Sequence, residues 1–285
     1  MDKIKVFLAQ MGSVLGNKKK NLEKIFDIVS KFYDDEYPNI FIFPEMFLTG
    51  YGIKELVYKL AEEVPGPSTS KISSFLKEFE KAYVVIGMPE ASRRHKGIIY
   101  NSAVVINKDG IVKTYRKRHL PTFGVFDESR YFKIGPPEKP RLIQIGKFKV
   151  GFIICYDAFF SEMVKAYSLV GADIVGVLSA APTSSRPLWE PILRARAIEN
   201  TVFILYTNQV GYQDGLEFYG EATIVSPTGA VVKKGEAFKE MVIEHVINIH
   251  DIHMGRQIRP IIKDFNYEDL IMLSNAYNEH MKNID

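Results

Sequence analysis

Cys155 is the one cysteine among 285 residues. It ends the apolar run of VGFIICYDAFFSE (residues 150–162), two positions ahead of Asp157. A thiol at the C-terminal end of a sheet strand, before a helix start, sits where α/β folds present reactive groups. A lone cysteine after an apolar strand also fits an inert small hydrophobe. A nucleophilic thiol needs a base, and histidine is the common one. Of the six histidines, His95 lies in a polar turn and His119 in a charged loop, and the other four fall in the C-terminal elements. None has a Cys–His protease context. His250 and His253 are three residues apart, but no cysteine or acidic helper completes a metal set. Glu45, in FIFPEMFLTGY, ends a second apolar run. A carboxylate there is costly to bury unless it is paired or protonated, and a salt-bridged structural glutamate fits as well. Lys117 sits in the basic run 116–119, where composition alone does not single it out.

The elements that position these residues read as follows. Residues 3–10 alternate as a strand, and 17–33 form an amphipathic helix with Leu22, Ile25, Phe26, Val29 and Phe32 on one face. Residues 39–45 form a buried strand ending at Glu45. A helix near 68–80 has Ser68 as its N-cap, and a strand over AYVVIGMP follows. IIYNSAVVI and GIVKTY make a hairpin around NKDG. Residues 116–140 are a long irregular stretch, of a kind that is often functional. RLIQI and FKVGFIIC are strands. Then come a helix (158–170), a strand (172–178), a helix (189–200) and the strand TVFILYT. EATIVS and AVVKKG form a second hairpin, MVIEHVI is a strand, and helices near 249–258 and 267–282 close the chain. Strands that are apolar throughout need cover on both faces, so the fold class is α/β with helices outside mixed sheets. No composition shift marks a linker, and residues 1–285 read as a single domain. IFIFPE and FIICYD echo each other as buried strands ending in a reactive side chain.

Composition narrows the class. Charged residues make up 25% and the net charge is +3, which points to neither nucleic acid nor membrane. A single cysteine excludes an intramolecular disulfide framework and fits the cytoplasm. The N-terminal apolar run, Val6 to Ala9, is too short for a signal peptide. Lysines 18–20 read as a solvated helix start.

FPEMFLTGY, YRKRHLP and ICYDAFFSE, with their acidic, basic and thiol residues 72 and 38 positions apart, resemble the signatures of the nitrilase-like carbon–nitrogen hydrolase superfamily. The likeness continues through LRARAIENTVFILYTNQVG, GEATIVSPTG and RQIRP. It implies a four-layer αββα sandwich with the site at the strand ends. It also implies a Glu45–Lys117–Cys155 triad, with Glu128 of DESRYF as the second glutamate found in many members. In that chemistry Cys155 attacks the carbonyl or nitrile carbon and Glu45 shuttles protons. Lys117 and the Tyr156 N–H stabilise the oxyanion. Asp157 and Glu162 fit structural hydrogen bonds near the nucleophile and, equally, the acids of a helix N-terminus. Tyr51, Phe123, Phe126, Tyr156, Trp189 and Tyr212 are candidates for shaping the substrate pocket, together with segment 180–190. The loop LPTFGVFDESRYF is similar to that of the glutaminase domain of glutamine-dependent NAD synthetases, although the chain holds no synthetase module.

The implied activity is an amidase on a small linear amide or carbamoyl compound. The alternatives are a true nitrilase, a freestanding glutaminase subunit, and a silent binding or scaffold protein. Many true nitrilases carry CWE where this chain has CYD. No organic cofactor or metal is implied. The expected partners are the small-molecule amide or nitrile substrate and a second copy of the chain, in a homodimer or higher homo-oligomer.

Overall fold

The computed structural model describes residues 1–283. Two six-stranded mixed sheets stack face to face. The first has the order β14 (Met241–Asn248), β1 (Lys3–Gln10), β2 (Asn39–Ile42), β3 (Ala82–Ala91), β4 (Ile99–Asn107), β5 (Gly110–Arg116). The second has the order β13 (Val231–Lys234), β12 (Thr223–Val225), β9 (Phe203–Asn208), β8 (Ile174–Ser179), β7 (Phe148–Ile154), β6 (Ile143–Ile145). The central strands β1–β2–β3 and β7–β8–β9 run parallel, and the outer pairings are antiparallel.

Strand alternation explains the layering. Ile4, Val6 and Leu8 of β1, Ile40 and Ile42 of β2 and Val85 of β3 share a core with Val150, Phe152 and Ile174 of the second sheet. Their neighbours Phe7, Phe41 and Val84 face the other way, onto Leu22, Ile25 and Val29 of the helix Lys18–Phe32 and Ile72 of the helix Pro67–Phe75. Phe26 and Phe32, expected on the same face, pack there partly buried. The helices Ser161–Leu169 and Arg186–Asn200 cover the second sheet through Val164, Tyr167, Trp189, Leu193 and Ala197. The layers thus run helix, sheet, sheet, helix. No helix among the described residues is long and apolar enough to cross a membrane.

Several expected boundaries shift for local reasons. The strand over 39–45 stops at Ile42, so Glu45 stands in the loop beyond it. The helix expected over 158–170 starts at Ser161. The residues before it, Cys155–Phe159, form a 3₁₀ turn pinned by the Asp157 carboxylate, which accepts from the Ile154 N–H. The helix near 68–80 ends at Phe75 and passes into a 3₁₀ turn. The helix expected from 189 begins at Arg186, with Pro187 in its first turn, where a missing N–H costs nothing. Within 116–140, Glu128–Tyr131 form one helical turn. An unforeseen hairpin, β10 (Val210–Gln213) and β11 (Leu216–Tyr219), closes on Asp214 and Gly215, both at positive φ, the conformation a two-residue hairpin turn requires.

Candidate active site

β2 and β7 are central strands of opposite sheets, and each runs into a strained turn that carries a reactive group. Cys155 follows β7 with φ at +45°, and Met46, next to Glu45, has φ at +54°. A β-carbon makes this left-handed region unfavourable, so the surroundings must hold both turns in place. Gly87 of β3 clears the space for Glu45. A Cβ there would lie 2.6 Å from Glu45 Cα and Pro44 O, and closer still to Met46 N.

The side chains converge inside the protein. Glu45 is wholly buried. Its Oε1 accepts from Lys117 Nζ at 2.7 Å and from Asn101 Nδ2 at 2.7 Å, and its Oε2 accepts from the Ala180 N–H at 2.9 Å. Lys117, just past β5, also donates to Glu128 Oε1 at 2.6 Å. Tyr51 Oη donates to the same Glu128 oxygen at 2.7 Å. One buried ammonium therefore bridges two buried carboxylates.

Burial opposes the charge on Lys117, but the Glu128 and Glu45 carboxylates outweigh it and hold the ammonium protonated. Burial, against the pull of Lys117 and reinforced by Glu45, pushes the Glu128 carboxyl up to about 7. Burial first, then the Glu45 charge, drives the Cys155 thiol well above its ordinary range, with Lys117 opposing. The resting thiol is neutral and lies within the field of all three groups.

Asp157 braces the Cys155 turn against the end of β5. It accepts from Tyr115 Oη at 2.7 Å, from the His119 N–H at 2.8 Å and from the Arg118 N–H at 3.2 Å, and faces His119 Nδ1 at 2.9 Å. Glu162 instead lies exposed in the first turn of its helix, the helix N-terminal one of its two expected places.

Of the expected pocket residues, Tyr51 and Phe126 border a cavity of about 110 Å³ that also touches Glu128. Phe123 packs on Phe126 and Tyr156 with ring centroids 5.6 and 5.3 Å apart. Trp189 is buried behind this wall, between Phe159 and Tyr206. Tyr212 stands 72% exposed on β10, outside the cavity. Larger concave surfaces of about 830 and 660 Å³ contain none of Glu45, Lys117, Glu128 and Cys155. Chemistry rather than volume locates the site.

Sequence reasoning missed Asn101, Gln209 and Gln213. Gln209 Nε2 donates to the Glu45 carbonyl at 2.9 Å, and Gln213 Nε2 donates to Gln209 Oε1 at 2.9 Å. The available signal was polar amides inside apolar stretches, as in IIYNSAVVI and TNQVGYQ. Among the described residues three buried side-chain polar atoms have no protein partner: Asn101 Oδ1, Glu128 Oε2 and Ser179 Oγ. Among the described residues no three His, Cys, Asp or Glu side chains are arranged to hold a metal ion.

This fold is the αββα sandwich of the nitrilase superfamily. Residues 5–257 match the family model described as carbon–nitrogen hydrolase, and the chain belongs to that family. It is 31% identical over 265 residues to a glutamine-dependent NAD(+) synthetase of Aquifex aeolicus, covering 87% of this chain and 43% of the synthetase. The chain therefore spans under half the length of that relative. It is 30% identical to a probable nitrilase of Schizosaccharomyces pombe, over 87% of this chain and 90% of that protein. The structure of Saccharomyces cerevisiae Nit3, a nitrilase-superfamily member, superimposes with a TM-score of 0.81 at 28% identity, covering 91% of this chain and 95% of that one.

Proposed function

We propose that the chain is an amidase that releases ammonia from a small linear amide through a thioester on Cys155. The observation that carries this reading is the buried Lys117 ammonium, shared at 2.7 and 2.6 Å between Glu45 and Glu128 and close enough to Cys155 to act on its titration. Such a charged trio has a large desolvation cost and little structural use.

Glu45 takes the thiol proton as sulfur bonds to the carbonyl carbon. The raised thiol pKa keeps that transfer concerted with attack, so no free thiolate accumulates. Lys117, with the Tyr156 N–H, stabilises the tetrahedral oxyanion. Glu45 returns the proton to the departing ammonia as the C–N bond breaks. A water then loses a proton to Glu45 and attacks the thioester, and the acid leaves as the thiol regains its proton. Glu128 fixes the direction of the Lys117 ammonium, and its unpartnered Oε2 is free to accept from the substrate amide.

Intact-mass detection of an acyl-enzyme, with ammonia release from matched amide and nitrile panels, tests the reading. An amidase gives the adduct and ammonia from amides at rates well above those from nitriles. The reverse preference would make the protein a nitrilase. No adduct with either panel would leave the scaffold alternative.

A further inference from the structure

We propose that a cationic cleft beside the edge strand β5 binds a small phosphorylated molecule carrying at least two negative charges. None of Glu45, Lys117, Glu128 and Cys155 lines this cleft, so it is a second site.

The sequence explains why a cleft is there. β5 is the last strand of its sheet. An edge of this kind pairs with any segment that can offer it a ladder. The stretch beside it is GPPEKPR (residues 135–141), the second half of the long irregular region and the part that carries none of the proposed catalytic groups. Gly135 comes so near that a Cβ there would lie 2.4 Å from the Arg116 carbonyl oxygen. Beyond it Pro136, Pro137 and Pro140 have no N–H to give, so the stretch does not extend the sheet. A concave surface of about 660 Å³ is left between β5, this stretch and the helix Ser161–Leu169, which contributes Met163, Ala166 and Tyr167. Small-molecule sites fall in the range of roughly 300–1,000 Å³. The prolines and Met163 give the cleft apolar surface for the body of a ligand.

Charge selects the ligand. The cleft is lined by Lys113, Arg116, Arg118, Lys139 and Arg141, against Glu90 and Glu138. Five cations and two carboxylates leave an excess of three, as large as the net charge of the whole chain, +3. Arg116 and Glu90 cancel each other through hydrogen bonds of 2.9 and 2.6 Å. The Arg118 guanidinium donates to the neutral Gly135 carbonyl, so its charge stands. Lys113, Lys139 and Arg141 make no ion pair and no side-chain hydrogen bond with any described residue. Glu138 makes none either, and its charge reaches Lys113 and Arg116 from beyond ion-pair contact. Burial first, then the Arg141 charge, lowers the Lys113 ammonium from its ordinary value, with Glu138 opposing. Four cations therefore share one loosely placed carboxylate, and a bound multivalent anion relieves their repulsion. A cleft with one sign of charge also concentrates its counter-ions, and guanidinium and ammonium groups are the usual donors to phosphate oxygens. The other large concave surface, of about 830 Å³, lacks this excess. Its Lys147 pairs with Asp2 and its Arg256 with Asp173, which leaves Lys149 and two histidines.

Calorimetric titration of the intact protein at low salt tests the proposal with pyrophosphate, ADP and adenosine. Pyrophosphate and ADP should bind with dissociation constants below about 1 mM, and adenosine, which has no phosphate, should not. Lys113→Ala and Arg141→Ala should each weaken pyrophosphate at least about 10-fold, because each removes a charge-assisted contact. Glu138→Gln should tighten it about 3-fold or more, because it removes the competing carboxylate. Lys147→Ala, on the other concave surface, should leave it unchanged. Failure of both pyrophosphate and ADP to bind overturns the proposal. So does adenosine binding as tightly as ADP, or binding that Lys113→Ala and Arg141→Ala leave intact. No ammonia is measured, so the outcome stands apart from the amidase reading.

Discussion

Glu128→Gln isolates the charge that the site holds at greatest cost. The carboxyl is raised from 4.5 to about 7 by burial, against Lys117 and with Glu45 adding to the rise. At about 1.4 kcal/mol per pH unit, that rise is worth about 3 kcal/mol. The direction follows from proton binding. Between pH 4.5 and 7 the folded state holds a proton on this carboxyl that the unfolded chain has released, so stability falls as pH rises across that window. Below pH 4.5 the cost vanishes, and above 7 it is complete. Gln keeps the shape and an acceptor for Lys117 and Tyr51 but cannot ionise. The wild-type protein should therefore lose stability relative to Glu128→Gln, on the order of 3 kcal/mol, between pH 4.5 and 8. Urea unfolding of both proteins at several pH values reads this difference. Ammonia release at pH 7.5 should fall at least 10-fold in the same variant, since Glu45 is then the one carboxylate on the Lys117 ammonium. Parallel stability profiles across the window, or full activity, would refute the reasoning.

Other substitutions probe the remaining parts. Cys155→Ala should lower ammonia release by a factor of ~10³ or more. Cys155→Gly should be about 1 kcal/mol more stable than Cys155→Ala in the same unfolding assay, because φ is +45° there. Gly87→Ala should destabilise the protein by about 3 kcal/mol, since the new Cβ meets backbone of the Glu45 turn. Its activity should fall about 100-fold even where it stays folded, as Glu45 moves. Two copies should associate over the exposed face of the helix Tyr267–Lys282, which bares Leu270, Ile271, Met272, Leu273 and Tyr277. Light scattering should then give at least twice 32.5 kDa, and deletion from residue 267 should lower the value. A monomeric mass for the whole chain would rule that association out.

The layers were legible because burial on both faces leaves a mark in every strand. NIFI, FIIC and TVFILYT have no polar side to turn outward, so helices had to cover two sheets. Glu45 and Cys155 stood out by position, each at the end of such a run. Lys117 did not stand out, since three neighbours share its basic character and only the fold buries one of them. The family resemblance, rather than composition, selected it. Asn101, Gln209 and Gln213 stayed hidden because a buried amide leaves a weaker imprint than a buried charge. Helix boundaries failed at 155–160 because periodicity cannot register a single left-handed residue. Tyr212 looked like a pocket aromatic and is a surface one, on a hairpin that was not foreseen.

The strain at Cys155 and Met46 and the buried charges of Glu45, Lys117 and Glu128 belong to one arrangement. A left-handed residue at each strand end turns the chain abruptly, so a reactive side chain next to each turn stays at the sheet instead of following the chain away. Central strands supply the stiffness this needs. β2 is clamped between β1 and β3, and β7 between β6 and β8. The Asp157 carboxylate then ties the Cys155 turn to the backbone just after Lys117 through the Arg118 and His119 N–H groups. The thiol and the ammonium are thereby held to each other as well as to their own sheets. Loss of Asp157 should consequently cost activity through the relative position of Cys155 and Lys117, before it costs the fold. Asp157 joins the two halves of the sandwich where the chemistry is proposed to occur, as Glu45 also does through the Ala180 N–H.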